Sequence, residues 1–344
     1  MPDYTDTQLA EMIAAVDAKA DALAARVAAL EATPPVDPPP VDPPPVDPPP
    51  VDPPDEPNPP ASTGTLSWAP PALTNPTTID VTSCRTVTLD PAKDYVLRLP
   101  TDKAITGANG LKITGGRRVV LIGGHIHHDD WYGTPYNASD SRKNCGLIIE
   151  NPGEVLFIEG LRIDGVITDA IRVSSGSRGP TDFYFQNIHV PDPVRGRKAD
   201  WHADVMQAWT LWGRMFVDGL AGVTEYQGIR LSPKEIDTGQ PGLSDLTLRR
   251  VAMTGAPQSE ILYTLWNGNS GEVQTKVVID QVYANSAHYG ADPVNLIWDV
   301  TNPRSGSGWN DVTATNLRRF TGTKFGPAPF TIPAGAGYQS PGYR

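Results

Sequence analysis

The sequence predicts an all-β fold, a parallel β-helix (solenoid), preceded by an α-helical coiled coil and a polyproline linker. Three observations support this prediction: a heptad pattern near the N-terminus, a repeated Val-Asp-Pro-Pro block, and a recurring unit of short strands. They divide the 344-residue chain into residues 1–33, residues 34–62 and residues 63–344. We interpret these parts as an oligomerisation helix, a spacer, and a β-helix domain with a C-terminal tail.

Apolar residues in the segment 5–32 recur at alternating intervals of four and three. This spacing forms a heptad seam with Ile13, Ala20 and Val27 at a, and Leu9, Val16, Leu23 and Leu30 at d. A single amphipathic helix packed on the main domain is the alternative, and the linker that follows disfavours it. The seam therefore predicts a homo-oligomer. The residues at the a and d positions do not decide between a dimer and a trimer, and we favour the trimer.

The linker begins with PPVDPPPVDPPPVDPPPVDPP at residues 34–54. Proline fixes φ and lacks a backbone donor, so neither helix nor sheet continues through this segment. A proline-rich tract extends by about 3.1 Å per residue, which gives roughly 80 Å for residues 34–60. The tract contains six acidic residues and no Lys or Arg. It is either a disordered linker or a stiff spacer, and the strict repeat favours the spacer.

After the linker, short β-rich runs recur between Gly, Asn, Asp and Pro. Apolar positions at equivalent places in these runs are spaced by 27, 32, 31, 31 and 35 residues. They are Leu161, Ile188, Leu220, Val251, Val282 and Leu317. Irregular repeats with several short strands each are typical of a solenoid. A β-sandwich, the alternative, would show hairpin turns about every 8–12 residues.

The charge distribution excludes several kinds of partner. The net charge is −11, of which residues 1–33 carry −4 and residues 34–60 carry −6, so the remainder is nearly neutral. This predicts no nucleic-acid partner, and no apolar run approaches the ~18 residues of a membrane span. The acidic N-terminus without an apolar core predicts folding in a cytoplasm. Cys84 and Cys145 are expected to be free thiols.

Stacking the repeats predicts a column of outward-facing side chains. If Ile171, Met206, Ile229 and Leu262 are equivalent inward positions, the residue after each points outward. These are Arg172, Gln207, Arg230 and Tyr263, with Lys112 continuing the column. Trp209 and Trp266 fall on the same strands. Planar donors beside aromatic rings suit sugars and uronates, and the alternative is an ordinary solvated sheet face.

Over residues 75–320 these repeats resemble the pectate-lyase-like right-handed β-helices. Coiled coil, proline spacer and β-helix in this order resemble a tail fibre, tail spike or minor tail protein of a tailed bacteriophage. The Ala-, Asp- and Pro-rich, Lys-poor composition is similar to that of phages of actinobacteria. The resemblance implies a virion tail location after synthesis in the host cytoplasm. It also implies other tail proteins and host cell-envelope polysaccharide as partners, with no cofactor.

A polysaccharide-degrading enzyme on the same fold, hydrolase or lyase, is the alternative function. "TDAIRV" (168–173) and "QGIRLS" (227–232) resemble strand elements of the polygalacturonases. This resemblance implies catalytic roles for Asp169, Asp204, His202 and Arg230. The chain lacks the family's paired Asp-Asp and Gly-His-Gly, and Leu231 replaces its Lys. Carboxylates on adjacent repeats are expected about 5 Å apart, whereas inverting hydrolysis needs about 6.5–9.5 Å.

The tract "HIHHDD" at residues 125–130 is the one segment of the sequence that suggests a metal site. His125 and His127 share one face of a strand by alternation. Because no second ligand cluster follows at a recognisable spacing, the sequence predicts a polar corner here and no metal site.

The heptad interpretation makes a testable prediction. We expect a peptide of residues 1–33 to self-associate, because its apolar seam is buried only against another copy. Sedimentation of the peptide at tens of micromolar measures this. A monomer at that concentration would contradict the coiled-coil assignment.

Overall fold

The computed structural model describes a set of segments within one compact unit, Pro57–Arg344. These segments are residues 66–107, 110–128, 145–165, 168–175, 178–194, 203–225, 227–231, 242–255, 263–267, 273–285, 309–315, 318–319, 332–335 and 337–341. The predicted coiled coil and spacer lie outside the described residues.

The described segments contain twenty strands and no helix. The first ten are β1 (Thr77–Asp80), β2 (Thr86–Leu89), β3 (Asp94–Arg98), β4 (Ile105–Thr106), β5 (Leu111–Gly115), β6 (Arg118–Ile122), β7 (His125–His128), β8 (Cys145–Glu150), β9 (Val155–Glu159) and β10 (Arg162–Gly165). The others are β11 (Asp169–Ser174), β12 (Thr181–Val194), β13 (Asp204–Trp209), β14 (Gly213–Thr224), β15 (Gln227–Leu231), β16 (Leu243–Gly255), β17 (Tyr263–Asn267), β18 (Val273–Asn285), β19 (Trp309–Thr315) and β20 (Arg318–Arg319). None of these segments forms a helix long and apolar enough to cross a membrane.

The strands form two sheets in which all of the described strand pairings are parallel. The first sheet has 13 strands and runs β1-β3-β6-β9-β12-β14-β16-β18-β19, with β4, β7, β10 and β20 attached beside this path. The second has seven strands in the order β2-β5-β8-β11-β13-β15-β17. Neighbouring strands in each sheet come from successive repeats, because the chain visits the other sheet in between. The predicted all-β class with repeated strands is confirmed.

The register of the first sheet confirms the predicted alignment of repeats. Ile188 pairs with Leu220, Leu220 with Val251, and Val251 with Val282. Arg162 pairs with His189, which puts Leu161 level with Ile188. Leu317 lies outside the described residues. Apolar residues about 31 positions apart therefore meet because each repeat stacks on the one before it.

One predicted register is wrong in the second sheet. Ile229 pairs with Leu265 rather than with Leu262, so Trp266 lies opposite Arg230 and Tyr263 lies opposite Gln227. Leu262 and Leu265 are both apolar, and the hydrophobic pattern alone does not choose between them. The hydrogen-bond register does, and it shifts the predicted column by three residues at this strand.

The core consists of apolar columns that run from strand to strand through the repeats. Alternation along each strand turns one set of side chains inward. The first sheet supplies the column Leu97, Leu121, Ile158, Phe185, Val217 and Leu248, and the second supplies Leu111, Leu147, Ile171, Met206 and Ile229, all of them fully buried. Each such side chain contributes roughly 1.5–3 kcal/mol on burial.

A bend recurs at one place in successive repeats of the first sheet. The residue at the bend has a φ between 46° and 76° in each case. These residues are Gly123, Gly160, Asn187, Gly219, Arg250 and Gln281. For a residue with a Cβ this conformation costs about 1 kcal/mol. At Arg250 a hydrogen bond from Nε to the buried carboxylate of Asp218, 2.5 Å long, offsets that cost.

The segment that follows the spacer is fastened to strands of the first sheet. Trp68 exchanges two hydrogen bonds of 3.0 Å with the side-chain amide of Gln186. Its ring contacts Tyr184 and Phe216, with centroid distances of 6.0 and 5.3 Å. Further along, Arg118 donates to the carbonyl oxygen of Ala72 at 2.8 Å. The start of the domain is thus held by strands from the middle of the sheet.

The C-terminal segment packs over the bend of the first sheet. The N–H of Gly335 donates to the carbonyl oxygen of Gly160 at 2.9 Å. The ring of Tyr338 occupies the space that a Cβ on Gly160 would enter, only 2.1 Å away. Near this segment, burial raises the pKa of Glu159 to about 7, and the nearby hydroxyl of Ser340 partly opposes that rise. Glu159 therefore favours its neutral form below that pH.

The buried Glu159 makes the stability of the domain depend on pH. Its folded pKa lies above the ordinary value of 4.5, so the stabilisation is present below about pH 4.5 and is lost as pH rises through about 7. The loss reaches up to about 3 kcal/mol. We expect Glu159→Gln to flatten this profile, because the amide stays neutral. Urea midpoints at about pH 5 and about pH 8 measure it.

The control is Glu154→Gln, which changes a carboxylate that is 53% exposed and paired with Arg118. This variant should keep the wild-type pH profile. Equal urea midpoints for the wild-type chain at both pH values would contradict the prediction.

Candidate functional site

The outer face of the second sheet carries an in-register column of side chains. Backbone pairing aligns Lys112, Ile148, Arg172, Gln207, Arg230 and Trp266. Parallel strands lie about 4.8 Å apart, so successive members of this outer column are neighbours. Ile148 interrupts the polar series between Lys112 and Arg172. The side chains of Tyr263 and Trp266, and the whole of His202, lie outside what the structure describes.

Lys112 is held in an ion pair within this face. Its Nζ atom lies 2.8 Å from Oε2 of Glu150, which is two strand positions further along the neighbouring strand. Both side chains are partly exposed, at 23% and 32%. A partly exposed ion pair of this kind contributes little to stability, typically about 0.2–1 kcal/mol. Lys112 thus remains able to exchange its partner for an external anion.

Arg230 and Trp209 form an accessible part of the outer face. The guanidinium carbon of Arg230 lies 4.1 Å from the centroid of the Trp209 ring, which is cation–π geometry. Trp209 is 37% exposed, and among the side chains that the structure describes it is the one large apolar group at the surface. The indole therefore presents an apolar surface to solvent, and the contact with Arg230 fixes its orientation.

Asp169 is a buried partner of the column. Its Oδ2 accepts a hydrogen bond of 2.6 Å from Nη2 of Arg172 and a longer one, 3.6 Å, from the thiol of Cys145. Its Oδ1 accepts from the backbone N–H of Asp204 at 3.1 Å. Burial and the neighbouring Asp169 raise the pKa of the Cys145 thiol, so the thiol is inert. Asp169 holds Arg172 in place and links two repeats.

Asp204, whose backbone N–H donates to Asp169, is fully buried. Its Oδ2 accepts a hydrogen bond of 2.9 Å from Nε2 of Gln207, and its Oδ1 has no hydrogen-bond partner among the described residues. Burial, together with the charge of Asp169, raises the pKa of Asp204 well above its ordinary value. A proton on Oδ1 would relieve both the buried charge and its repulsion with Asp169.

The exposed side chains of the outer face are suited to binding a ligand, and the buried carboxylates beneath them hold those side chains in place. Asp169 and Asp204 are 1% and 0% exposed, so a polysaccharide does not reach either carboxylate. They orient Arg172 and Gln207 from below. The groups that a sugar can touch are Trp209 and the edges of the polar column. Of the three described residues with predicted catalytic roles, which are Asp169, Asp204 and Arg230, Arg230 belongs to this accessible part. His202 lies outside the described residues.

A second polar cluster lies on β7 and β10. His125 Nε2 and His127 Nδ1 are each 2.7 Å from the same Oδ1 atom of Asp164. The sequence suggested a polar corner at these histidines, and it missed Asp164, which lies 37 residues further along the chain than His127. The pairing of β7 with β10 supplies the third group. Among the described residues, these three form the cluster that could hold a metal ion.

Comparison of the chain with protein-family models, curated proteins and solved structures finds no match. The chemistry of both clusters is therefore inferred from the residues and their geometry. The accessible Trp209–Arg230 pair and the histidine cluster lie on strands of different sheets.

The two buried carboxylates should respond differently to neutralisation. We expect Asp169→Asn to cost about 3 kcal/mol of unfolding free energy, because it leaves the mostly buried Arg172 without its anion. We expect Asp204→Asn to cost less than about 1 kcal/mol at neutral pH, because the raised pKa of Asp204 already favours a neutral group. Urea denaturation of each variant measures the difference. Equal losses for the two variants would contradict these assignments.

Proposed function

We propose that the protein is a bacteriophage tail fibre or minor tail protein that binds host cell-envelope polysaccharide. The binding surface is the outer face of the second sheet. The observation that carries the proposal is the exposed Trp209, stacked by Arg230 beside an in-register polar column.

The first step concerns the fold, which we propose to be a right-handed parallel β-helix. Successive repeats pair in parallel in both sheets, and one apolar core runs between them. A chain that alternates between two sheets and returns each time to pair with its own previous turn winds as a coil. Connections between parallel strands of one sheet are overwhelmingly right-handed. Such a coil offers a long, regular face for an extended ligand.

The second step concerns the ligand. An exposed indole stacks on the apolar face of a sugar ring, as aromatic side chains pack on flat partners. A guanidinium binds a carboxylate through two parallel hydrogen bonds, which suits uronic acids. Trp209 and Arg230 provide this pair of groups in contact with one another. Arg172, which is 22% exposed, lies two strands further along the column and extends the same chemistry.

The third step concerns the place of action. A heptad helix, an acidic proline spacer of roughly 80 Å and a β-rich domain in this order suit a virion protein that reaches towards a cell. A homo-oligomer presents several copies of a weak glycan site, which raises avidity without new contacts. We propose that the chain is made in the host cytoplasm, joins other tail proteins, and acts at the host cell surface.

Cleavage of the polysaccharide is the second candidate function. The raised pKa of Asp204 beside Asp169 favours it, because a general acid needs a carboxyl group that keeps its proton. The burial of both carboxylates and their hydrogen bonds to Arg172 and Gln207 favour binding without turnover. We therefore expect the protein to retain its ligand rather than release products.

The test is a glycan array with product analysis on the full chain. We expect Trp209→Ala and Arg230→Ala each to weaken binding at least about tenfold, because each removes half of the stacked pair. The matched control is Arg214→Ala, since Arg214 lies over Phe216 in the first sheet in a similar cation–π contact, 5.7 Å from the centroid. This control should bind like the wild-type chain.

Two outcomes would contradict the proposal. One is binding that survives both outer-face variants or falls equally with Arg214→Ala. The other is sustained release of reducing ends or unsaturated sugars that Asp204→Asn abolishes, which would assign the enzyme function instead.

A further inference from the structure

The cluster of His125, His127 and Asp164 brings three potential metal ligands to one point. His125 and His127 alternate on β7, so their rings share a face. Asp164 pairs with His127 across the neighbouring strand, so its carboxylate rises between the two rings. Both ring nitrogens lie 2.7 Å from the same Oδ1 atom. Two imidazoles and a carboxylate are a common donor set for zinc.

The surroundings of the cluster orient the carboxylate towards the two rings. Arg162 donates from Nε to Oδ2 of Asp164 at 2.7 Å, which leaves Oδ1 for the histidines. An outer hydrogen bond of this kind fixes the orientation of a metal-binding carboxylate. Asp192 accepts a hydrogen bond of 2.8 Å at Oδ2 from the backbone N–H of Gly165, the residue after Asp164.

The three side chains of the cluster differ in how far they are exposed to solvent. The side chain of Asp164 is 6% exposed, that of His125 is 20% exposed and that of His127 is 43% exposed. The carboxylate thus forms the floor, and the ring of His127 lies at the rim. An ion can enter past His127, and the side facing solvent remains available for a further ligand.

We propose that His125, His127 and Asp164 form a Zn²⁺ site with three protein ligands and one open coordination position. Tetrahedral zinc holds nitrogen and oxygen ligands at about 2.0–2.2 Å, which separates the ligand atoms by about 3.3 Å. Each ring nitrogen must therefore move about 0.6 Å further from Oδ1 of Asp164 than its hydrogen-bonded distance of 2.7 Å. A rotation of the exposed His127 ring supplies this movement for its own nitrogen.

Zinc replaces the hydrogen bonds within the cluster. His125 Nε2 and His127 Nδ1 must each present a lone pair to the ion, so the ring protons move to His125 Nδ1 and His127 Nε2. Asp164 is an anion at neutral pH. The hydrogen bond from Arg162 to Oδ2 stabilises this anion and remains in place when zinc binds Oδ1. Neither change in the rings alters the net charge of neutral histidines.

The donor set also selects among metals. Two imidazoles favour zinc, cobalt, nickel and copper over magnesium and calcium, which prefer oxygen ligands. The inference is independent of the glycan-binding proposal, because the cluster lies on β7 and β10 and not on the second sheet.

The test is calorimetric titration of the full chain, purified without a histidine tag and treated with EDTA. We expect one zinc per chain, and we expect His127→Ala and Asp164→Asn each to weaken binding at least tenfold. The control is His189→Gln. The His189 ring is separated from His125 by the strand that carries Arg162, so this variant should bind zinc normally. Cobalt in place of zinc should give the visible absorption of a tetrahedral ion.

Melting curves in EDTA separate loss of the site from loss of the fold. Asp164→Asn also breaks the contact with Arg162, whereas the exposed His127 is replaceable with little effect on folding. His127→Ala is therefore the deciding variant. The proposal is overturned if the wild-type chain binds no zinc, or if a folded His127→Ala variant binds it as tightly as the wild type.

Discussion

In-register parallel pairing between successive repeats is the constraint on which the rest of the structure depends. Because each strand lies directly against its counterpart one repeat away, a residue type placed at one position becomes a column. Inward columns such as Leu121, Ile158 and Phe185 build the core. The outward column of Arg172, Gln207 and Arg230 comes from distant parts of the sequence through the same pairing. Fold and candidate site therefore share one physical origin.

The buried polar groups beneath the outer face also depend on how the repeats stack. Asp169 joins the guanidinium of Arg172 to the backbone N–H of Asp204 in the next repeat, whereas the Asp204 side chain accepts a hydrogen bond from Gln207 within its own strand. Burying these groups costs free energy that their hydrogen bonds only partly return. A one-residue slip between repeats would break the hydrogen bond from the N–H of Asp204 to Asp169. The contacts with Arg172 and Gln207 lie within single strands and do not depend on the register. The hydrogen bond between repeats thus penalises a wrong register that an apolar column tolerates.

The sequence predicts the strand register correctly where an apolar residue recurs at a nearly constant spacing. It predicts the wrong register where two nearby residues are equally apolar. Ile188, Leu220 and Val251 were aligned correctly because their spacing is nearly constant. Leu262 was chosen in place of Leu265 because both fit the core. Asp164 was missed because only strand pairing brings it to His127. The contacts of Trp68 with Tyr184 have no periodic signal at all.

The attachment of Trp68 has a mechanical consequence. A pulling force on the N-terminal chain acts first on Trp68, because Trp68 precedes β1. Trp68 transmits the force to the amide of Gln186 and to the rings of Tyr184 and Phe216. β1 is the terminal strand of its sheet, and a pull applied there would peel strands away one at a time. Load delivered to β12 and β14 is instead shared by neighbours on both sides. The anchor therefore keeps the load away from the terminal strand of the sheet.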